Sequence, residues 1–158
     1  MQVPVFIEIP KGSRNKYELD KEKNVIKFDR MLFSSVMYPT DYGFIPDTLA
    51  DDGDALDAMV ILGEPTFPGC YIETKVLGVL VMSDDKGLDE KILTVPVSDP
   101  QWNHLNCLED VPKHLLNEIA HFFQIYKNLE NKEVKILGWK NKEEAILTIK
   151  KCYDFAKK

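Results

Sequence analysis

Apolar and alternating runs in the first two-thirds of the chain predict a series of short β-strands. β-Branched and aromatic residues dominate these runs, and turn residues separate them. A polar segment at 21–24 lies between two further runs, 16–20 and 25–30, and predicts a hairpin. Gly78 predicts a bulge in a long strand, and Pro96 predicts that a later strand is bent or lies at an edge. The single strands are expected at residues 3–9, 58–62, 71–82, 92–97 and 133–139.

The last third of the chain changes to helical periodicity. Apolar residues recur at helical spacing over residues 115–126, with Asp110 as the expected N-cap and Pro112 early in the first turn. A second amphipathic segment follows Asn141, which forms a capping-box pattern with Glu144. Two helices are therefore expected near the C-terminus.

The order of these elements predicts an α+β fold. Short strands followed by helices are typical of a barrel-like or strongly curved antiparallel sheet. The segment 38–46 is rich in Tyr, Pro and Gly, so an ordered loop is expected there. With 158 residues, the chain is expected to form one domain that needs no disulfide or structural metal to fold.

Charge and cysteine usage exclude several classes of protein. The formal net charge is −6 and the pI is about 5.1, which argues against a general nucleic-acid binder and against docking on an anionic membrane. Cys70, Cys107 and Cys152 form no C-x-x-C pair, so reduced thiols are expected rather than a zinc or redox site. The N-terminus lacks the features of a secretory signal, and the longest uncharged apolar stretch, residues 76–82, is too short to span a membrane. A cytoplasmic protein is expected.

An acidic loop precedes the short strand at 58–62. Residues 51–57 carry four carboxylates, and two unit charges about 4 Å apart repel by about 1 kcal/mol in water and about 4 kcal/mol near a partly buried surface. An ordered cluster of this kind favours a hard divalent cation. An EF-hand does not fit, because aligning Gly53 with the loop glycine leaves Ala50 and Met59 at ligand positions. Taken alone, the loop is equally typical of a solvated turn.

A second acidic segment, residues 83–91, follows the long strand. By itself it is typical of a hairpin turn, but if it meets the loop at 51–57, enough carboxylates converge to hold two or more Mg²⁺ ions. A substrate that carries phosphate would also need cations and hydroxyl donors. Most candidates are as readily explained as surface lysines or core tyrosines, whereas Arg30 shares a strand face with Ile26 and Phe28. The candidates are Lys16, Arg30, Lys91, Lys127, Tyr38, Tyr42 and Tyr126.

Taken together, these residues resemble the family I soluble inorganic pyrophosphatases. The D-x-D-P-hydrophobic-D signature of that family corresponds to residues 52–57, which read D-G-D-A-L-D. Ala55 stands where the family usually has proline, so an effect on metal affinity or rate is expected, without loss of function. Further family positions follow in the same order along nearly the whole chain: Glu8, Lys16, Tyr17, Glu18, Arg30, Tyr38, Tyr42, Asp84, Asp89, Lys91, Tyr126 and Lys127.

The resemblance implies a fold and a reaction. The fold would be a five-stranded OB-like antiparallel β-barrel with flanking C-terminal helices, in a single catalytic domain over residues 1–158. The reaction would be Mg²⁺-dependent hydrolysis of inorganic pyrophosphate to two orthophosphates by a metal-activated water, without a covalent intermediate. Several Mg²⁺ ions per subunit are implied, with Mn²⁺ or Zn²⁺ as substitutes. Short members of the family are usually homohexamers, so a homohexamer is implied here.

The resemblance also implies a role for each site residue. Asp54 would be the general base, with Tyr42 near the attacking water. The metal ligands would be Asp52, Asp57, Asp89 and Asp84, with Glu8 acting through water. The substrate contacts would be Lys16, Glu18, Arg30, Tyr38, Lys91, Tyr126 and Lys127.

Two other functions remain open from the residues alone. A Ca²⁺- or Mg²⁺-binding structural β-domain would explain the acidic loops, but it leaves a set of cations without a purpose: Lys16, Arg30, Lys91 and Lys127. An OB-fold nucleic-acid binder would use aromatic residues on a strand face, but the acidic balance opposes it.

Overall fold

A computed structural model describes residues 1–158. The chain forms eight strands and two α-helices, and none of its helices combines the length and the apolar character needed to cross a membrane. Two short 3-10 turns lie at Leu108–Asp110 and Asn128–Glu130. In chain order, the elements are β1 (Gln2–Ile9), β2 (Asn15–Asp20), β3 (Val25–Met31), β4 (Asp41–Phe44), β5 (Asp57–Val60), β6 (Tyr71–Asp84), β7 (Gly87–Pro96), α1 (Lys113–Ile125), β8 (Lys135–Lys140) and α2 (Lys142–Ala156).

Five strands close into a ring. They follow the order β1-β4-β5-β7-β6, and the pairing of β1 with β6 completes the circuit, while β8 extends the sheet beside β6. The predicted five-stranded barrel with C-terminal helices is thus confirmed as a closed ring. One detail differs from the expectation, because β5 and β7 run parallel. The predicted hairpin is also confirmed, with β2 and β3 forming a separate two-stranded sheet.

Each α-helix packs its apolar stripe against the ring. Ile119 and Phe123 of α1 belong to one hydrophobic cluster, whereas Ala145 and Ile149 of α2 belong to a second. Residues of β1 are buried at alternate positions, as expected for a strand with one face toward the core. Burying each large apolar side chain stabilises the fold by about 1.5–3 kcal/mol, so both helices contribute to the stability of the ring.

The segment 38–46 was predicted to be a loop, and this was wrong, because β4 occupies its centre. All four residues of β4 are buried, and the strand pairs with β1 and β5. Gly43 permits the close approach to β1, since a Cβ atom there would lie 1.8 Å from the carbonyl oxygen of Phe6. The glycine that suggested a loop is therefore a requirement of strand packing.

Two local predictions are confirmed. The pairing of β6 with β7 shifts register between Val76 and Gly78, which is the expected bulge. Asn141 caps α2, because its Oδ1 accepts a hydrogen bond of 3.0 Å from the Glu144 amide.

One further prediction is wrong and another is wrong in part. Asp110 does not cap α1, because its carboxylate accepts a hydrogen bond from the amide of Asn106 and Pro112 takes the N-cap position. Of the two alternatives given for the strand with Pro96, the edge position is wrong, since β7 lies between β5 and β6, and the bend stays a prediction. Pro96 is instead the last residue of β7, where a missing amide donor is tolerated.

Candidate active site

A cavity of about 520 Å³ gathers nearly all of the predicted site residues. Its walls come from β1, the β2–β3 hairpin, β4, the acidic loop before β5, the turn between β6 and β7, and the residues after α1. Arg30 is the one predicted residue outside the lining. The predicted residues that line the cavity are Glu8, Lys16, Glu18, Tyr38, Tyr42, Asp52, Asp54, Asp57, Asp84, Asp89, Lys91, Tyr126 and Lys127.

The two acidic segments meet because β5 pairs with β7 in parallel. In this register Asp57, at the start of β5, lies opposite Lys91 of β7, and Asp89 lies two positions earlier. β7 begins at Gly87, five residues before the predicted strand at 92–97. The sequence pattern missed this start because the first half of β7 is polar: Asp89 and Lys91 face the cavity, and Glu90 accepts a hydrogen bond from Thr148 of α2.

Asp57 and Asp89 form an acidic wall of the cavity, and Lys91 is buried between them. Its side chain is only 2% exposed, and its Nζ lies 2.9 Å from Asp57 Oδ2 and 3.2 Å from Asp89 Oδ2. The same ammonium donates a hydrogen bond of 2.7 Å to the Tyr42 hydroxyl. Burial lowers the pKa of Lys91, but attraction to Asp57, Tyr42 and Asp89 outweighs burial and raises that pKa well above its usual value. Lys91 is therefore a charged counter-ion to both carboxylates.

Aromatic side chains form the floor behind this cluster. The ring centroids of Tyr38 and Phe122 lie 4.8 Å apart, and those of Tyr42 and Phe123 lie 5.8 Å apart. Burial raises the pKa of Tyr126 to about 12 and holds the pKa values of Tyr38 and Tyr42 well above their usual range. The three phenols therefore keep their protons at neutral pH and remain available as hydrogen-bond donors. Each of these three tyrosines packs in the hydrophobic core and also lines the cavity.

Glu8 joins β1 to the hairpin. Its Oε2 accepts a hydrogen bond of 2.7 Å from the amide of Leu19. Burial raises the pKa of Glu8 from 4.5 to about 7, although that hydrogen bond favours the ionised form. The neutral carboxyl is thus the better tolerated form in the metal-free protein.

This shift predicts a pH-dependent stability. The pKa of Glu8 is higher in the folded protein than in the unfolded chain. The contribution of Glu8 to the free energy of unfolding is therefore complete below about pH 4.5 and is lost as pH rises through about 7. In chelator, we expect this group to lower the free energy of unfolding by about 2–3 kcal/mol across that range. Chemical denaturation at several pH values should show a flatter profile for Glu8→Gln, whereas the exposed-site control Glu22→Gln should keep the wild-type slope. Identical profiles for wild type and Glu8→Gln would contradict this expectation.

Arg30 pairs with two carboxylates that do not line the cavity. Its Nε lies 2.9 Å from Glu130 Oε1, and its Nη1 donates a hydrogen bond of 2.8 Å to Asp29 Oδ2. The expected apolar face of β3 is not a core face, since Phe28 is 60% exposed. The pairing of β2 with β3 is irregular beside Lys16, so Asp29 has no residue opposite it.

Two charged residues of the cavity were missed in the sequence. Lys21 and Lys86 line the cavity from the hairpin turn and from the turn between β6 and β7. Lysine in a polar turn is usually a solvated charge, so composition gave no reason to select them. Their closeness in sequence to Glu18 and Asp84 was the available signal.

The cavity carries the ligand chemistry of a hard divalent cation. Its candidate ligands are all carboxylates, and neither histidine nor cysteine lines it. No three His, Cys, Asp or Glu side chains are arranged so that they could hold a metal ion by themselves. Mg²⁺ commonly binds through one or two carboxylates and completes its coordination with water and phosphate oxygens. The donor set of this wall, with Asp57 and Asp89 18–28% exposed, therefore fits that ion.

Comparison with known sequences identifies similar proteins. The chain matches the family described as inorganic pyrophosphatase over residues 5–157. An inorganic pyrophosphatase of Methanosarcina acetivorans is 66% identical over 142 residues, which cover 90% of this chain and 84% of that protein. One from Synechocystis sp. is 53% identical over 150 residues, which cover 95% of this chain and 89% of that protein.

Solved structures give the same similarity. The crystal structure of the inorganic pyrophosphatase from Thermus thermophilus superposes with a TM-score of 0.96 at 42% identity, covering 99% of this chain and 92% of that one. The inorganic pyrophosphatase from Helicobacter pylori gives a TM-score of 0.97 at 41% identity, covering 99% and 94%.

Proposed function

Because the chain belongs to the inorganic pyrophosphatase family and is a metal-dependent hydrolase of pyrophosphate, we propose that Mg²⁺ bound at the acidic wall of the cavity supports this reaction. The observation that carries the proposal is the parallel pairing of β5 with β7, which brings Asp57 beside Asp89 and Lys91. Family membership also sets aside a structural metal-binding domain without turnover and an OB-fold nucleic-acid binder. The proposed unit is a single catalytic domain over residues 1–158.

The carboxylates of the cavity would hold the metal. We assign Asp52, Asp57 and Asp89 to the principal ions, Asp84 to a further ion, and Glu8 to a contact through water. When bound, Mg²⁺ supplies a Lewis acid that lowers the pKa of a coordinated water and neutralises charge on the phosphates. Mn²⁺ or Zn²⁺ would substitute, since both accept oxygen ligands.

Asp54 is the proposed general base. It is an exposed residue of the acidic loop whose side chain is free to meet water, and its amide is fixed by a hydrogen bond of 3.0 Å to Asp52 Oδ1. Its carboxylate would accept the proton of the attacking water. Tyr42 lines the same cavity and accepts a hydrogen bond from the Lys91 ammonium, and we propose that its hydroxyl orients that water.

Cationic and hydroxyl side chains would bind the two phosphates. Burial lowers the pKa of Lys127, and the positive charges of Lys16 and Lys91 lower it further. An anionic phosphate would relieve this repulsion among three cations, which supports binding of the substrate between them. Arg30 stays a proposed contact, although its guanidinium is engaged by other carboxylates. The full set of proposed substrate contacts is Lys16, Glu18, Arg30, Tyr38, Lys91, Tyr126 and Lys127.

Orthophosphate release from pyrophosphate tests the proposal. Wild-type protein should release orthophosphate with Mg²⁺ and lose that activity in chelator. Asp54→Asn should lower kcat by about 10²-fold, the usual loss when a general base is removed, with unchanged Mg²⁺ affinity by calorimetry. Asp85→Asn, an exposed turn residue outside the cavity lining, is the matched control and should keep wild-type kcat. Turnover that survives chelation would refute the metal assignment.

Assembly and location belong to the same proposal. We propose a homohexamer in the cytoplasm. Exposed apolar side chains support subunit contacts, since Phe33, Met37 and Phe67 are 50–63% exposed. Three free cysteines are in keeping with a reducing compartment. Light scattering on purified protein would measure the number of subunits.

A further inference from the structure

The β2–β3 hairpin forms one wall of the cavity but stands apart from the ring. Lys16, Tyr17 and Glu18 of β2 line the cavity, yet the hairpin shares no strand pairing with the main sheet. The Glu8 carboxylate holds it at one point, through the amide of Leu19. A two-stranded sheet of this kind is marginally stable by itself, so its position depends on such side-chain contacts.

The segment after α1 forms a second wall of the cavity. Tyr126 and Lys127 line the cavity directly after α1, and the short 3-10 turn Asn128–Glu130 follows. Asn131 ends that turn in the left-handed conformation with φ of 58°, and the Lys132 amide donates a hydrogen bond to the Lys127 carbonyl. The turn therefore closes on itself through its backbone, and the Glu130 side chain beside it is 8% exposed.

A chain of ion pairs joins these two walls. Glu130 contacts the Arg30 guanidinium at two points: its Oε2 accepts a hydrogen bond of 3.2 Å from Nη2, and its Oε1 lies 2.9 Å from Nε in an ion pair. Arg30 also pairs with Asp29, and Asp29 Oδ2 lies 3.4 Å from Lys16 Nζ. The contacts run without a break from the 128–130 turn to a lysine of the hairpin wall.

The two walls repel each other electrostatically. Lys16 on the hairpin and Lys127 on the opposite wall are both cations, and after burial the charge of Lys16 is the largest cause that lowers the pKa of Lys127. Repulsion of this kind favours an open cavity when no phosphate is present. A two-point ion pair between the same walls opposes that opening, because its Glu130 side chain is only 8% exposed and breaking the pair leaves that carboxylate without its partner.

We propose that Glu130 is a positioning residue for substrate binding, which tethers Arg30 and thereby sets the spacing between Lys16 and Lys127. The inference rests on the proposed function, since it assumes that these lysines bind pyrophosphate. Glu130 itself does not line the cavity, so it acts through Arg30 and takes no part in the chemistry.

Glu130→Gln separates this role from a chemical one. The substitution keeps the size of the side chain and removes its charge, so we expect the KM for pyrophosphate to rise about 5–10-fold while kcat changes by less than about twofold. Glu133→Gln removes an exposed carboxylate three positions later and should leave both constants unchanged. An unchanged KM for Glu130→Gln, or a fall in kcat alone, would overturn the inference.

Hydrogen exchange supplies a readout that does not depend on turnover. In Glu130→Gln, amides of residues 15–31 should exchange faster than in wild type, while amides of α2 stay unchanged. Glu130→Asp keeps the charge and should restore part of the protection. Equal exchange in all variants would refute the tether even if the wild type proved inactive, whereas absence of wild-type turnover would refute the proposed function alone.

Discussion

Replacement of Asp57 by asparagine is expected to lower Mg²⁺-dependent orthophosphate release by on the order of 10³-fold, the scale of losing a preorganised charge contact in an active site. Asp57 is the carboxylate at which the acidic loop, β7 and Lys91 meet. Asparagine keeps the shape of the side chain but supplies a neutral oxygen to the cation. Steady-state release of orthophosphate and calorimetric titration of Mg²⁺ should show weaker metal binding together with the lower rate.

Asp51→Asn is the matched control for this loss. Asp51 belongs to the same loop, but it is exposed and pairs with Lys151 of α2 at 3.3 Å. An exposed pair of this kind contributes little to stability, so wild-type rate and Mg²⁺ affinity are expected. Similar losses in both variants would indicate a general effect of loop charge and would contradict the assignment of Asp57.

Replacement of Lys91 by methionine is expected to lower the free energy of unfolding of the metal-free protein by about 4 kcal/mol, because removing one partner of a buried ion pair leaves the others uncompensated. Methionine fills the space of the lysine stem but leaves Asp57 and Asp89 without their shared cation. Mg²⁺ should stabilise this variant more than it stabilises the wild type, since a bound cation would replace the missing charge. Denaturant titrations with chelator and with saturating Mg²⁺ measure both effects.

Lys135→Met serves as the comparison for Lys91→Met. Lys135 is an exposed residue of β8, so its loss should change the free energy of unfolding by less than about 0.5 kcal/mol. If both variants unfold alike in chelator, Lys91 is not the counter-ion of the acidic wall. If Mg²⁺ stabilises Lys91→Met no more than wild type, a bound cation does not replace the charge of Lys91 between the two carboxylates.

The parts of the site that could be predicted from the sequence are those in which chemistry is local. The D-G-D-A-L-D run at 52–57 stood out because clustered carboxylates repel unless a cation joins them. The hairpin and the helix cap at Asn141 could also be predicted from the sequence, since each depends on residues within a few positions of one another. The family resemblance then supplied roles that spacing alone did not.

The features that were missed depend on contacts between distant positions. Gly43 resembles a loop residue until its approach to Phe6 is known. The partnership of Arg30 with Glu130 spans 100 positions, and neither residue signals the other. Lys91 carried no sign of burial, because a lysine in a polar segment is usually solvated. Tertiary packing decides all three cases, and local propensity does not contain that information.

The parallel pairing of β5 with β7 has a consequence for how the protein folds. Asp57 and Lys91 are 34 positions apart, and the bond from Thr74 to Val3 that helps to close the ring spans 71 positions. Bringing such distant segments together costs loop-closure entropy, and this cost arises before the contacts that offset it have formed. The acidic wall therefore forms only when β5 pairs with β7, so a chain that has not formed this pairing has two separate acidic turns and no pocket in which a cation and a phosphate could meet.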